Sequence, residues 1–452
     1  MKALTPQPGY FDASVEVPGS KSISNRALIL AALSGGKTRL LNLQFSDDSR
    51  RMLMCLRSLG IDVDWDKDKK EATVVGTGGL IPKESGAVRG ENLFVGNAGT
   101  AARFLPCLAA LGVGAFRFTG DPQMQERPMA ELIDALVNQG SKVNLLQPMS
   151  PDSLVPLGDK VIPKPLVRNK SYPFELIANG LAGGSIKLDI TRSTQFASGL
   201  MMAAPYAKAP LKLELTGDRT QIPYVDMTVA MMKTFGVEVK HQESTWEIPL
   251  TPYATPGEYL IEPDFSGACY FFAAAALIGG KVTVKHTRAA SIQGDIRFLK
   301  VLQHMGCSFF EDPEGLTVEK EPGRVLKGVE VDMNAFSDQA LTLAALAPFC
   351  DRPVSIRNVA HIRNQECDRI EAIVKNLRAL GGTVEERPDG VTITPGPLHG
   401  GLIETFGDHR VAMAFSLLGL KVPGVQMDDP ACVAKTFENY WDVFAQLQES
   451  HA

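Results

Sequence analysis

Five times along this 452-residue chain a helix-like segment ends in a glycine and passes into a β-prone run, with an aliphatic residue four positions before the glycine and an apolar residue three after it. The instances are Leu56/Gly60/Val63, Leu136/Gly140/Val143, Met232/Gly236/Val239, Leu302/Gly306/Phe309 and Leu377/Gly381/Val384. Glycine takes the left-handed conformation that ends many helices without a Cβ penalty, so each instance predicts a helix-to-strand junction. The glycines lie 70 to 96 residues apart, too far for small solenoid repeats and right for a compact unit of two helices and several strands. Short β-prone runs follow at Ala72-Thr73-Val74-Val75, Thr245-Trp246-Glu247-Ile248, Leu316-Thr317-Val318 and Val391-Thr392-Ile393. Three units before about residue 260 and three after it, the last without a clear junction, make two similar domains, each about 200 residues long. The turn-rich Leu250-Thr251-Pro252-Tyr253-Ala254-Thr255-Pro256-Gly257 is the expected crossover.

Composition narrows the partners. With 44% apolar and 21% charged residues the chain reads as an ordinary globular protein, and a net charge of -5 argues against nucleic acid or an anionic membrane surface. Seven dispersed cysteines without a Cys-x-x-Cys pair indicate neither a disulfide framework nor a zinc site, and suit a reducing cytoplasm. The N-terminus lacks an apolar signal segment, the apolar run Tyr270 to Gly280 is too short to span a bilayer, and neither a His-x-x-x-His pair nor a dinucleotide fingerprint is present. No metal or cofactor is therefore expected.

Against this acidic background, six short segments set Arg or Lys among small, hydroxyl or carboxylate residues. They are Lys21-Ser22-Ile23-Ser24-Asn25-Arg26, Asn97-Ala98-Gly99-Thr100-Ala101-Ala102-Arg103, Glu126-Arg127-Pro128, Glu366-Cys367-Asp368-Arg369, Gly407-Asp408-His409-Arg410 and Ala434-Lys435-Thr436. Guanidinium forks, ammonium groups and backbone N–H donors together suit a compact, multiply charged anion. A small phosphorylated substrate, bound in a cleft between the halves that closes on it, is the expectation.

The run from Pro18 to Leu28 lacks the Gly-Lys pair and the upstream glycine of a nucleotide-binding P-loop. It resembles instead the opening signature of the 5-enolpyruvylshikimate-3-phosphate (EPSP) synthase family. The family's other motifs follow in order: Gly96 to Arg103, Glu126-Arg127-Pro128, Ser193-Thr194-Gln195-Phe196, Pro223-Tyr224-Val225-Asp226, Ser337-Asp338, Glu366 to Arg369, Gly407 to Arg410, and Ala434-Lys435-Thr436-Phe437. The resemblance implies an α/β fold: a two-domain inside-out α/β barrel, each domain built from three βαβαββ repeats with helices inside, and an active site in the interdomain cleft. By the same resemblance residues 21–261 form one domain, and 1–20 with 262–452 the other.

The implied reaction adds the 5-hydroxyl of shikimate 3-phosphate to carbon 2 of phosphoenolpyruvate while carbon 3 takes a proton; phosphate then leaves and a methyl proton is removed. By resemblance, phosphoenolpyruvate is held by Lys21, Gly99, Arg127, Gln195, Arg369, Arg410 and Lys435. Shikimate 3-phosphate meets Lys21, Ser22, Arg26, Ser193, Thr194, Gln195, Tyr224, Asp338 and Gln365, with Asn97, Arg103 and His409 as cleft neighbours. Lys21, Asp338 and Glu366 are the implied acid–base groups, Asp338 as base for the hydroxyl and Glu366 as acid toward carbon 3; the sequence leaves the division of protons among them open. Taken singly, Ser193 and Thr194 suit a turn or cap, His409 a structural donor, and Glu366 with Asp368 a salt-bridged helix start, with Asp368 as an orienter of Arg369.

Several positions depart from the family pattern. Gln365 stands where Lys is frequent, His361 for Asn, Gln221 for Ser, Thr194 for Ser and Phe104 for Pro. Gly99 leaves the phosphoenolpyruvate site uncrowded, which implies sensitivity to glyphosate. A monomer is implied as well. The alternatives are a related enolpyruvyl transferase acting on UDP-N-acetylglucosamine and a non-catalytic anion-binding homologue.

Overall fold

The computed structural model describes residues 1–6, 9–81, 92–146, 170–217 and 222–449. All five junction glycines have positive φ, between 79° and 105°. Helices α1 (Lys21–Leu33), α2 (Asp47–Ser58), α3 (Gly99–Ala109), α4 (Pro122–Glu126), α5 (Ala130–Asn138), α6 (Gln195–Ala203) and α7 (Pro223–Thr234) belong to the first half of the chain. The second half carries α8 (Phe265–Ile278), α9 (Phe298–His304), α10 (Ala340–Leu346), α11 (Arg369–Ala379), α12 (His409–Gly419) and α13 (Tyr440–Glu449). The glycines end α2, α5, α7, α9 and α11, and each is followed by a strand, as the repeat predicts.

Five four-stranded sheets share one strand order. In the sheet that contains Phe11–Val15, Val282 pairs in parallel with Ala13 and antiparallel with Val318, which in turn faces Phe309. The sixth sheet explains the missing sixth junction. Leu402–Ile403 runs parallel to Gln426–Met427, and the antiparallel neighbour is Lys2–Ala3 from the N-terminus rather than a strand following a glycine. The first unit borrows likewise: Glu258–Leu260 completes the sheet of Gly35–Leu41.

Two hydrophobic cores result, one drawn from Ile23 to Ile261 and the other from Leu4 to Val17 with Phe265 to Leu447. The first helix of each unit runs through the middle of its core. On α8 every residue from Phe265 to Leu277 is buried, the signature of a helix with protein on all sides. Helices α1, α3 and α6 touch one another, as do α8, α10 and α12. The sheets lie outside with alternating burial: Phe11, Ala13 and Val15 face inward while Asp12 and Ser14 face out. This is the inside-out α/β barrel expected above. Among the described residues no helix is long and apolar enough to cross a membrane.

The halves join where two chain segments run side by side. Ser20 N donates to Glu262 O and Asp264 N to Pro18 O, both at 2.8 Å. Glycine is required at Gly19, where a Cβ would lie 1.9 Å from Asn42 O.

Candidate active site

The central helices begin at one place. A cleft is lined by Lys21 and Ser22 at the start of α1, Gly99 and Thr100 of α3, Gln195 of α6, and His409 and Arg410 of α12. An adjoining pocket is lined by Ser266 and Gly267 of α8 and by Ser337 and Asp338, just before α10. Six helix N-termini thus converge from both halves, and their unpaired N–H groups and dipoles favour anions. Asp264 caps α8 through Gly267 N, and Asp408 caps α12 through Arg410 N.

One charge network occupies the bank supplied by the second half. Arg369, 2% exposed in its side chain, donates to Asp408 Oδ2 at 2.8 Å, Asp338 Oδ1 at 3.0 Å and Glu366 Oε2 at 3.0 Å. Arg410 reaches Asp338 Oδ2 at 3.0 Å, and Lys435 reaches Glu366 Oε1 at 3.0 Å. Burial opposes ionisation of Glu366, but Lys435 and Arg369, helped by Arg127, hold its carboxyl well below the usual range. Asp338 is similarly lowered against burial by Arg410, Arg369 and the Tyr224 hydroxyl. Both are carboxylates at neutral pH. Burial pushes His409 well below the ordinary histidine value, so its ring is neutral.

The opposite bank is simpler. Lys21 lies 3.4 Å from Asp48, Arg127 meets the carbonyl and side-chain oxygens of Asn97 at 3.5 Å, and Arg103 donates to Gly99 O at 2.8 Å. Asn97 is held by Gln123 at 2.6 Å. A Cβ on Gly99 would sit 3.0 Å from Arg127 Nη1 and 3.1 Å from Arg103 Nη1, crowding both guanidinium groups. The banks touch through Tyr224 Oη to Asp338 Oδ2 at 3.0 Å, Gln44 Nε2 to Thr436 O at 2.6 Å, and Lys67 to Glu438 at 2.9 Å.

Lys21, Ser22, Gly99, Arg127, Gln195, Tyr224, Asp338, Gln365, Glu366, Arg369, His409, Arg410 and Lys435 all line the cleft. Five expected ligands and neighbours stand back from it, Asn97 among them behind Arg127. Arg26 is 1% exposed, and each of its guanidinium nitrogens donates to a protein acceptor. Ser193 Oγ accepts from Gln195 N, the turn-type use noted above, and Thr194 is buried at the start of α6. Arg103 lies one layer behind Gly99, where burial and Arg127 depress its pKa to about 9. His361 bonds Ser337 at 2.8 Å. Gln221 falls outside the described residues.

Asp368 corrects one expectation. Its carboxylate caps α11 through Glu371 N and pairs with Arg363 at 2.8 Å, so it does not orient Arg369. Asp408 does. Asp48 also escaped the motif reading: it sits in the first turn of α2, in a Ser46–Ser49 capping box that reads as helix punctuation.

Residues 6–444 match the family described as EPSP synthase (3-phosphoshikimate 1-carboxyvinyltransferase). The 3-phosphoshikimate 1-carboxyvinyltransferase of Nostoc punctiforme is 42% identical over 440 residues, covering 97% of each chain. That of Aliivibrio salmonicida is 40% identical over 452 residues, covering 99% of this chain and 100% of its own. A solved EPSP synthase from Acinetobacter baumannii superposes with a TM-score of 0.81 at 22% identity, covering 98% of this chain and 97% of that one, a likeness of fold.

Proposed function

This chain belongs to the EPSP synthase family, and from that premise we propose how its cleft performs enolpyruvyl transfer. The enzyme transfers the enolpyruvyl group of phosphoenolpyruvate to the 5-hydroxyl of shikimate 3-phosphate, releasing phosphate through a tetrahedral intermediate. The convergence of six helix N-termini and five lining cations on the two carboxylates Asp338 and Glu366 carries the reading. Phosphoenolpyruvate is held by Lys21, Gly99, Arg127, Gln195, Arg369, Arg410 and Lys435. Shikimate 3-phosphate lies against Ser22, Gln195, Tyr224, Asp338 and Gln365, with Arg26, Ser193 and Thr194 shaping that wall. Residues 21–261 and the pair 1–20 with 262–452 are the two moving bodies. Both banks come from one chain, which supports action as a monomer, and seven free cysteines suit the cytoplasm.

Asp338 accepts the proton of the 5-hydroxyl as that oxygen bonds carbon 2. Carbon 3 takes a proton from Glu366 or from the Lys21 ammonium on the other bank. Glu366 is a carboxylate while Lys435 and Arg369 attend it, so it must first be charged with a proton. The incoming phosphate and carboxylate draw those two cations toward themselves, raising the proton affinity of Glu366 at the moment an acid is needed. Phosphate departure restores the cations, and the Glu366 carboxylate then removes a methyl proton. The cations meanwhile steady the leaving phosphate in a site already arranged for charge.

The test is phosphate release by purified protein given both substrates, with each omitted in turn and the organic product weighed by mass spectrometry. Phosphate matched by the enolpyruvyl ether only when both are present is the expected result. Turnover with UDP-N-acetylglucosamine instead, or tight binding without phosphate, would overturn it.

A further inference from the structure

Arg26 is a buried cation without a carboxylate among its hydrogen-bond and ion-pair partners in the described residues. Its Nε donates to Thr228 Oγ1 at 2.8 Å, Nη1 to Ser22 O at 2.9 Å, and Nη2 to Ser198 Oγ at 3.2 Å and Tyr224 O at 3.1 Å. Neutral acceptors alone are weak compensation for a charge removed from water. Two aromatic faces flank it: the guanidinium carbon lies 5.2 Å from the Phe104 centroid and 5.8 Å from the Tyr224 centroid. Phe104 is 1% exposed on α3, the helix whose first turn carries Gly99 and Thr100. It also stands where the family pattern has a proline, which offers no such face.

We infer that Phe104 is a positioning residue for the shikimate 3-phosphate side of the cleft: its ring clamps the Arg26 guanidinium against Tyr224, and Arg26 in turn fixes the main chain at Ser22 and Tyr224. The stack bridges α3 on the phosphoenolpyruvate side to α1 and α7 on the other. Tyr224 is the residue whose hydroxyl meets Asp338 across the cleft, so a loosened Arg26 releases the platform on which that contact is set. The inference rests on the functional reading above, in which Ser22 and Tyr224 meet shikimate 3-phosphate. Burial also depresses the Arg26 pKa to about 10, consistent with a cation that lacks an anionic partner.

Phe104→Leu and Phe104→Met keep most of the side-chain volume and remove the π face. Steady-state kinetics with each substrate varied, and thermal melts, are measured on both, together with Arg26→Lys and the Phe104→Leu/Arg26→Lys double variant. The expected result is a rise in KM for shikimate 3-phosphate of about tenfold, the scale of a desolvated cation–π contact, with KM for phosphoenolpyruvate changed less than about twofold. In the Arg26→Lys background the Phe104→Leu change should have no further effect on that KM. Unchanged KM, equal rises in both KM values, full additivity in the double variant, or collapse of both single variants below assay temperature would make Phe104 a packing residue and overturn the inference. A wild-type protein without turnover would instead sink the functional reading.

Discussion

The two banks of the cleft carry similar numbers of cations and treat them differently. On the second-half bank Arg369, Arg410 and Lys435 are already engaged by Asp338, Glu366 and Asp408 at 2.8–3.0 Å. On the first-half bank Arg127 and Arg103 meet neutral oxygens, and Lys21 stands 3.4 Å from its carboxylate. On one bank Lys21 and Arg127 line the cleft, with a single carboxylate, Asp48, beside them, while Arg103 stands a layer behind. The other is a network of cations already paired with carboxylates, which on the proposed reading exchanges partners when the anion arrives and so changes the proton affinity of its carboxylates. On the proposed reading both halves supply cations to phosphoenolpyruvate, and partner exchange falls to the half that carries Asp338 and Glu366.

Three variants test that contrast. Glu366→Gln removes the group through which partner exchange becomes proton transfer, and kcat should fall about 10³-fold with phosphoenolpyruvate still bound, measured by single-turnover kinetics and calorimetry. Survival of kcat within tenfold would mean the proton travels through Lys21. Asp408→Asn keeps a cap for α12 but leaves Arg369 with less counter-charge; kcat/KM for phosphoenolpyruvate should drop on the order of tenfold while the melting temperature moves little. Gly99→Ala presses on Arg127 and Arg103, and KM for phosphoenolpyruvate should rise about threefold to tenfold with kcat nearly kept, which the same initial-rate assay reads. Equal loss of kcat would place the effect in the second bank instead.

The smallest effect concerns stability. Asp295, buried behind Asp338, accepts from Ser266 and Gln339, and burial together with the Asp338 charge raises its pKa to about 7. A carboxyl raised above its unfolded value binds more protons in the folded state, so stability falls as pH climbs from about 4 through 7. Wild-type protein should lose a few degrees of melting temperature between pH 5 and 8, and Asp295→Asn should flatten that slope. An unchanged slope would assign it to other groups.

Much of this was written in the chain because local chemistry forced it. The five glycines need left-handed backbone, and the cations at helix starts sit in compact motifs, so both leave short-range marks. What depends on distant partners left none. Asp408 earned its place only when Arg369, 39 residues away, was seen against it. Asp48 looked like the start of a helix, which it also is. Arg26 carries a ligand's motif and yet stands a layer back, because Thr228 and Ser198 approach it from elsewhere in the sequence.

The borrowed strands set an order of assembly during synthesis. The first-half sheets are complete once Glu258–Leu260 leaves the ribosome, whereas Phe11–Val15, made among the earliest segments, must wait for Gly280–Lys285 and its successors. Stalled nascent chains of about 300 residues should therefore resist protease over the first half alone, with the leading segment still cleavable. The amino terminus, first to emerge, is among the last parts to find its place.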